Sequence, residues 1–114
     1  MKSIELKFGK ENIQGVDVFF STVSILKTAV NNIPREGGLG VEEMSQRLRI
    51  LDILNKHSEY DVADGKFTED LLDKKGVLEL EDADYQKLKS LFKEVKWNVV
   101  ARFIVDLSKE LDAK

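Results

Sequence analysis

The sequence predicts an α+β fold that is mostly helical, with about four helices packed around a small two- or three-stranded β-sheet. Apolar and polar residues alternate near the N-terminus, which is typical of a strand, whereas later segments repeat apolar residues every three or four positions. The chain has 114 residues, of which 42% are hydrophobic and 34% charged. This length and balance predict a single globular domain over residues 1–114.

The strands of the predicted sheet come from two distant segments. Apolar residues alternate with polar ones over Lys2–Phe8, and two leucines share one face of Val77–Leu80. We expect these strands to pair and the helices to cover them, because two strands alone are marginally stable. The segment Gly9–Gly15 predicts a turn-rich loop.

Four amphipathic segments predict the helices. They run from Asp17 to Asn32, from Val41 to His57, from Glu81 to about Val95, and from Val99 to Asp112. Many β-branched residues in the first segment leave a strand at Val16–Phe20 as the alternative. Ile33-Pro34 ends that helix, a short helical turn is expected near Thr68, and Asn98 is the expected N-cap of the last helix.

The predicted core takes apolar residues from each of these elements. Its members are Ile4, Leu6, Phe8, Phe20, Val23, Leu26, Met44, Leu48, Leu51, Leu78, Leu80, Leu88, Leu91, Phe92, Phe103, Ile104 and Leu107.

Composition excludes several classes of function. The absence of cysteine excludes disulfide scaffolds, cysteine zinc sites, iron–sulfur sites and thiol catalysis. The net charge of -3 argues against a surface dominated by nucleic-acid binding. Lysines on the last two helices are matched by acids in the same segment, which favours a solvent face with ion pairs. Nucleic acid is therefore not an expected partner.

Two loops resemble ligand sites only in part. Gly37–Gly40 precedes a helix as phosphate loops do, but Glu42 and Glu43 would repel a phosphate, so a turn between helices is favoured. The acidic loop Glu59–Asp73 offers oxygen ligands, yet three ligand positions fail when Asp64-Gly65 is aligned on a calcium-binding loop. We therefore predict no metal site, although cation or protein binding by this loop stays open.

No set of residues indicates catalysis. His57 is the only histidine and falls near the end of the second helix, where a structural role is favoured. The sequence places no nucleophile or second base beside it. We therefore expect a protein that is not an enzyme, with no catalytic residues and no cofactor.

The candidate interface residues are Phe19, Phe20 and Trp97. Residues 18 to 20 point in three helical directions, so a helix there is either central or in contact with another chain. Trp97 lies between two amphipathic helices and is either a core residue or an interface anchor.

The stretch VLELEDADYQKLKSLFKEVKW, followed by an amphipathic helix, resembles small uncharacterised proteins of tailed phages and prophages. The resemblance is one of pattern over about the last 70 residues, and it carries no site residue. It implies a phage accessory or assembly role.

Together these observations predict a non-enzymatic protein–protein interaction domain that forms a homo-oligomer or binds another phage or host protein. The alternative is a small phage-encoded inhibitor or modulator of a host enzyme or nucleic-acid machine, which would bind through the acidic loop. No apolar segment suits a signal peptide or a membrane span. The expected location is the host cytoplasm or the virion.

Overall fold

Four helices and two small antiparallel sheets form the fold, as the computed structural model shows for residues 1–34, 36–62 and 67–113. The strands are β1 (Lys2–Leu6), β2 (Phe8–Ile13), β3 (Val16–Ser21) and β4 (Gly76–Leu80). The helices are α1 (Thr22–Val30), α2 (Val41–Asn55), α3 (Asp82–Glu94) and α4 (Arg102–Asp112). Short 3-10 turns span Ser58–Tyr60 and Glu69–Asp73. The predicted α+β class is confirmed.

The first sheet pairs β1 with β4, as the alternating pattern predicted. The strands are antiparallel, with Ile4 opposite Leu78 and Lys2 opposite Leu80. Ile4, Leu78 and Leu80 are fully buried, and the intervening residues face outward. One apolar face of this sheet therefore packs on the core.

The second sheet is a hairpin of β2 and β3, and the prediction of a loop at Gly9–Gly15 is wrong. The strands pair from Phe8 opposite Ser21 to Ile13 opposite Val16. Gln14 and Gly15 form the two-residue turn, with φ values of 53° and 84°. Two positive φ values match the right-handed twist of a hairpin, and glycine adopts such a conformation freely.

The predicted helix from Asp17 to Asn32 is also wrong in its first part. Residues up to Ser21 belong to β3, as the alternative at Val16–Phe20 anticipated. Helix α1 begins at Thr22, where the Ser21 hydroxyl accepts a hydrogen bond from the Ser24 N–H at 2.9 Å. A serine N-cap thus marks the boundary between strand and helix.

The core agrees with the predicted set except along α2. Met44 and Leu48 are exposed, and Leu51 is half-buried. Ile50 and Leu54 are the fully buried apolar residues of this helix. Helix α2 therefore turns a different face to the core from the one that its leucine spacing predicted.

Helix α4 begins three residues later than predicted. Its N-cap is Ala101 rather than Asn98, and Val100 is 95% exposed. Ala101 has no side-chain acceptor, and the Glu11 carboxylate of β2 accepts hydrogen bonds from the first N–H groups of the helix instead. At its other end, the Leu111 carbonyl accepts a hydrogen bond from the Tyr85 hydroxyl of α3 at 2.6 Å.

Candidate interaction surface

The orientation of α2 is set by a buried arginine. The Arg47 side chain is 5% exposed, and its Nη1 donates to the carbonyl oxygens of Val30 at 2.9 Å and Asn32 at 2.6 Å. Val30 is the last residue of α1 and Asn32 lies two residues beyond it, so the guanidinium is at the C-terminal end of the helix, where the dipole favours a cation. Arg47 therefore joins Ile50 and Leu54 on the inner face of α2.

Two ion pairs hold the side of α2 that faces α3. Arg49 donates from Nη2 to Asp84 Oδ1 at 2.7 Å and from Nε to Oδ2 at 3.2 Å, which is a bidentate contact. This contact with Asp84 raises the pKa of the Arg49 guanidinium. The Lys87 ammonium hydrogen-bonds the Glu43 carboxylate, and this hydrogen bond, with the attraction of Lys87 and Arg47, lowers the Glu43 pKa. Polar contacts thus fix the rotation of α2 about its axis.

An apolar stripe remains on the outer side of α2. Val41 is 81% exposed, Met44 46% and Leu48 53%, while Leu51 is half-buried at the end of the same row. We call Val41, Met44, Leu48 and Leu51 the α2 stripe. Single exposed apolar residues are common, whereas a contiguous row on one helix is typical of a contact surface.

Phe19, a predicted interface residue, lies on β3 and is 37% exposed. Its ring stacks on Phe67 with centroids 4.0 Å apart. Phe67 also meets Phe8 edge-on, and Phe8 stacks on Tyr60. The Phe67 ring thus covers part of the surface that Phe19 would offer to a partner. Phe67 and Tyr60 carry no local signal in the sequence, because the rings that they contact lie about 50 residues away.

Phe20 and Trp97 are the other predicted interface residues. Phe20 is 6% exposed and stacks on Phe103, so it is a core residue and does not reach the surface. Trp97 is half-buried, packs against the core and lies 5.7 Å from the Phe92 ring. The apolar surplus that the sequence assigned to its first helix is therefore found on α2.

Two loops, Gly37–Gly40 and the acidic loop Glu59–Asp73, resemble ligand sites in part by sequence. Glycines 37 and 38 have positive φ values, and Gly40 is the N-cap of α2, so this segment is a turn between helices. The calcium-loop alignment at Asp64-Gly65 lies outside the described residues. Within the described ranges, no three His, Cys, Asp or Glu side chains gather as metal ligands would.

The lysines of α3 are largely paired. Lys89 and Lys93 contact the Asp112 carboxylate at 3.4 and 2.7 Å, and Lys87 pairs with Glu43. The hydrogen bond from Lys93, with further attraction from Lys89, lowers the pKa of Asp112. For these three lysines this agrees with the predicted solvent face with ion pairs.

No protein-family model, curated protein or solved structure matches the chain. Among the residues that the structure describes, every helix is too short or too polar to cross a bilayer.

Proposed function

We propose that the protein is a non-enzymatic interaction module that binds protein partners through the α2 stripe. The observation that carries this proposal is the row of exposed apolar side chains at Val41, Met44 and Leu48. The same helix buries an arginine on its other side, so the exposed row is held in place by specific contacts.

The energetics favour a binding role for the α2 stripe. Burial of a large aliphatic side chain contributes about 1.5–3 kcal/mol, and these side chains keep roughly half or more of that surface in water. A partner that covers these side chains gains the free energy of their burial. The domain need not refold for this, because other residues of α2 already pack in the core.

The resemblance to small proteins of tailed phages supports a phage accessory or assembly setting. In that setting the partner is another copy of the chain or another phage or host protein. The paired lysines and the net charge of -3 support a protein partner over a nucleic acid.

The test compares Leu48→Glu with a matched control, Val100→Glu. Both variants replace an exposed apolar side chain by a carboxylate, but Val100 precedes α4 and lies outside the α2 stripe. We expect the wild type and Val100→Glu to bind the same proteins, including a tagged second copy, in an extract of the producing cells. We expect Leu48→Glu to lose that binding while its circular dichroism stays native.

Equal capture by all three proteins would overturn the proposal. Loss of binding in Val100→Glu alone would show that the interaction surface lies at the start of α4. If the wild type retains only a host enzyme, the protein is an inhibitor or modulator, as in the alternative predicted from the sequence, but with its contact on α2 rather than on the acidic loop.

A further inference from the structure

We infer that the open edge of β4 pairs with β4 of a second copy of this chain, antiparallel about a two-fold axis at Val77. The free main-chain groups of this edge require an extended strand as the occupant, and the order of charges along it favours a second copy. The contact is separate from the α2 stripe and does not depend on the proposed function.

The hydrogen bonding of β1 shows which groups of β4 are free. The Glu5 N–H donates to the Glu110 carboxylate of α4 at 3.0 Å, so it points away from β4. Glu5 lies opposite Val77, and hydrogen-bonded and non-hydrogen-bonded pairs alternate along an antiparallel ladder. Val77 and Glu79 therefore hold the non-hydrogen-bonded positions, and their N–H and C=O groups are directed away from β1.

These groups of Val77 and Glu79 form an open strand edge. No hydrogen bond joins them to a residue that the structure describes, and both side chains are exposed, that of Val77 by 57%. The opposite edge of the sheet, in contrast, is covered in part by Glu110. Donors and acceptors that alternate at strand spacing are matched by another extended backbone, which is how strand addition works. A helix has no free main-chain groups along its side to offer.

The side chains along this edge are complementary to those of a second copy. With Val77 on the two-fold axis, Lys75 of each copy lies opposite Glu79 of the other, and Val77 lies opposite Val77. Directly opposed residues of opposite charge, and opposed β-branched residues, stabilise an antiparallel pair. The main-chain groups of these alternate positions all face the edge, so the same register also matches donors with acceptors.

Lys75 directly precedes β4 and is available for this pair. Its side chain is 67% exposed, and its ammonium lies 3.8 Å from the Glu5 carboxylate, which is near the outer limit of an ion pair. Its carbonyl accepts a hydrogen bond from the Tyr60 hydroxyl at 3.1 Å, and a carbonyl oxygen can accept a second one. Lys75 therefore gives up no strong contact when it pairs with a second copy.

Other arrangements of the same two strands lack this complementarity. An antiparallel register centred on Leu78 places Val77 opposite Glu79, an apolar side chain against a carboxylate. A parallel pair with full overlap brings the two Glu79 carboxylates within one position of each other, and like charges there are unfavourable. The charges thus favour the antiparallel register at Val77.

The contact is short, so we expect weak association. It joins one strand edge from each copy and lies below the size of specific interfaces, which bury about 1,200 Å² or more. We therefore expect a dissociation constant on the order of 0.1–1 mM. Such a contact is lost in a dilute extract, so it does not affect the capture test of the α2 stripe.

Charge exchange at the edge tests the register and the identity of the occupant. Glu79→Lys and Lys75→Glu each place like charges opposite each other in their own dimer, whereas a mixed dimer of the two variants has opposite charges at both positions. In sedimentation equilibrium up to about millimolar concentration, we expect each variant alone to dimerise about tenfold more weakly than the wild type. We expect their equal mixture to associate about as well as the wild type.

Two control variants accompany this measurement. Asp106→Lys changes the net charge as Glu79→Lys does, but at an exposed position of α4, and it should leave the dissociation constant unchanged. Leu48→Glu removes any contact through the α2 stripe and should also leave dimerisation through β4 unchanged.

Amide hydrogen exchange followed by NMR gives a second, residue-specific readout. In dilute protein we expect the Leu78 N–H to be protected by its pairing with Ile4, and the N–H groups of Val77 and Glu79 to exchange rapidly. At about millimolar concentration the exchange of Val77 and Glu79 should slow about two- to fivefold, because the dimer covers them. In Glu79→Lys the exchange of the Val77 N–H should stay rapid at the same concentration.

Three results would overturn the inference. The first is a wild type that stays monomeric up to millimolar concentration, and the second is a mixture of the charge variants that associates no better than either variant alone. The third is a dimer in which Val77 and Glu79 stay unprotected, and its loss in Leu48→Glu would place that dimer on the α2 stripe. The proposed function is decided separately, by whether Leu48→Glu loses the proteins that the wild type and Val100→Glu capture.

Discussion

Glu11 caps the helix that begins at Arg102. Its carboxylate accepts hydrogen bonds from the backbone N–H of Arg102 at 2.9 Å and from that of Phe103 at 2.7 Å. Two orphan donors of α4 are thus satisfied by a strand residue more than 90 positions earlier. The negative charge also lies at the positive end of the α4 dipole.

Replacement of this cap should destabilise the protein. We expect Glu11→Ala to lower the free energy of unfolding by about 1–2 kcal/mol, because it removes a charged acceptor from two helical donors. Urea denaturation measures the change. Glu79→Ala is the matched control, an exposed strand glutamate with no such contact, and an equal loss in both variants would show that the cap contributes nothing.

Gly9 is required by the approach of Phe103. A Cβ at position 9 would lie 2.5 Å from Cδ2 of the Phe103 ring, which is itself held by stacking on Phe20. We expect Gly9→Ala to cost about 1–3 kcal/mol of stability in thermal or urea unfolding. In the background of Phe103→Leu the same change should cost about 1 kcal/mol less, and a purely additive double mutant would contradict the steric explanation.

The rotation of α2 predicts a large loss of stability for one of its aliphatic residues and a small loss for another. Ile50 is fully buried, so Ile50→Ala should cost about 2–4 kcal/mol. Leu48 is 53% exposed, so Leu48→Ala should cost about 0.5 kcal/mol or less in the dilute monomer. Both changes lie in one helix, so helix propensity affects them similarly. If Leu48→Ala cost more stability than Ile50→Ala in urea denaturation, the buried face of α2 would be the one that the leucine spacing predicted.

The buried phenol of Tyr85 predicts a loss of stability at alkaline pH. Burial raises the Tyr85 pKa above its ordinary value of 10.0, with smaller contributions from the charges of Glu110 and Asp112. The folded state therefore holds the phenolic proton more tightly than the unfolded state. The resulting stability is fully present below about pH 10 and is lost as the pH rises through the raised folded pKa.

The test of this pH dependence is the difference in unfolding free energy between wild type and Tyr85→Phe. At neutral pH we expect the wild type to be more stable by about 1 kcal/mol, because the variant loses the buried hydrogen bond to the Leu111 carbonyl. That advantage should shrink above pH 10. Tyr60→Phe controls for the loss of a phenol, and a constant difference across the pH range would show that Tyr85 does not titrate as described.

Periodicity identified the elements whose two faces differ clearly. The pairing of β1 with β4 followed from alternation, and α3 followed from an apolar stripe beside charged residues. The hairpin was missed because β3 continues directly into α1, and the summed pattern of both segments imitates one long helix. The turn at Gln14-Gly15 also lacks the Asn-Gly or Asp-Gly pair that signals such a hairpin most strongly.

The candidate site could not be placed from the sequence, for a different reason. Helix α2 carries apolar residues on two sides, and a spacing pattern does not tell which side meets the core. Arg47 determines which side of α2 is buried, because its guanidinium donates hydrogen bonds to the carbonyl oxygens at the end of α1. Contacts between distant segments, such as Phe19 with Phe67, likewise have no local signal.

The pairing of β1 with β4 constrains the order of events during synthesis of the chain. Strand β1 leaves the ribosome well before its hydrogen-bonding partner β4 (Gly76–Leu80), because the paired residues lie 70 or more positions apart in the sequence. Until that segment emerges, Ile4 and Leu6 have no sheet to join and stay accessible to chaperones that bind nascent apolar segments. The β2–β3 hairpin and α1 are local and can form earlier, so β1 joins the structure after segments that follow it in the sequence.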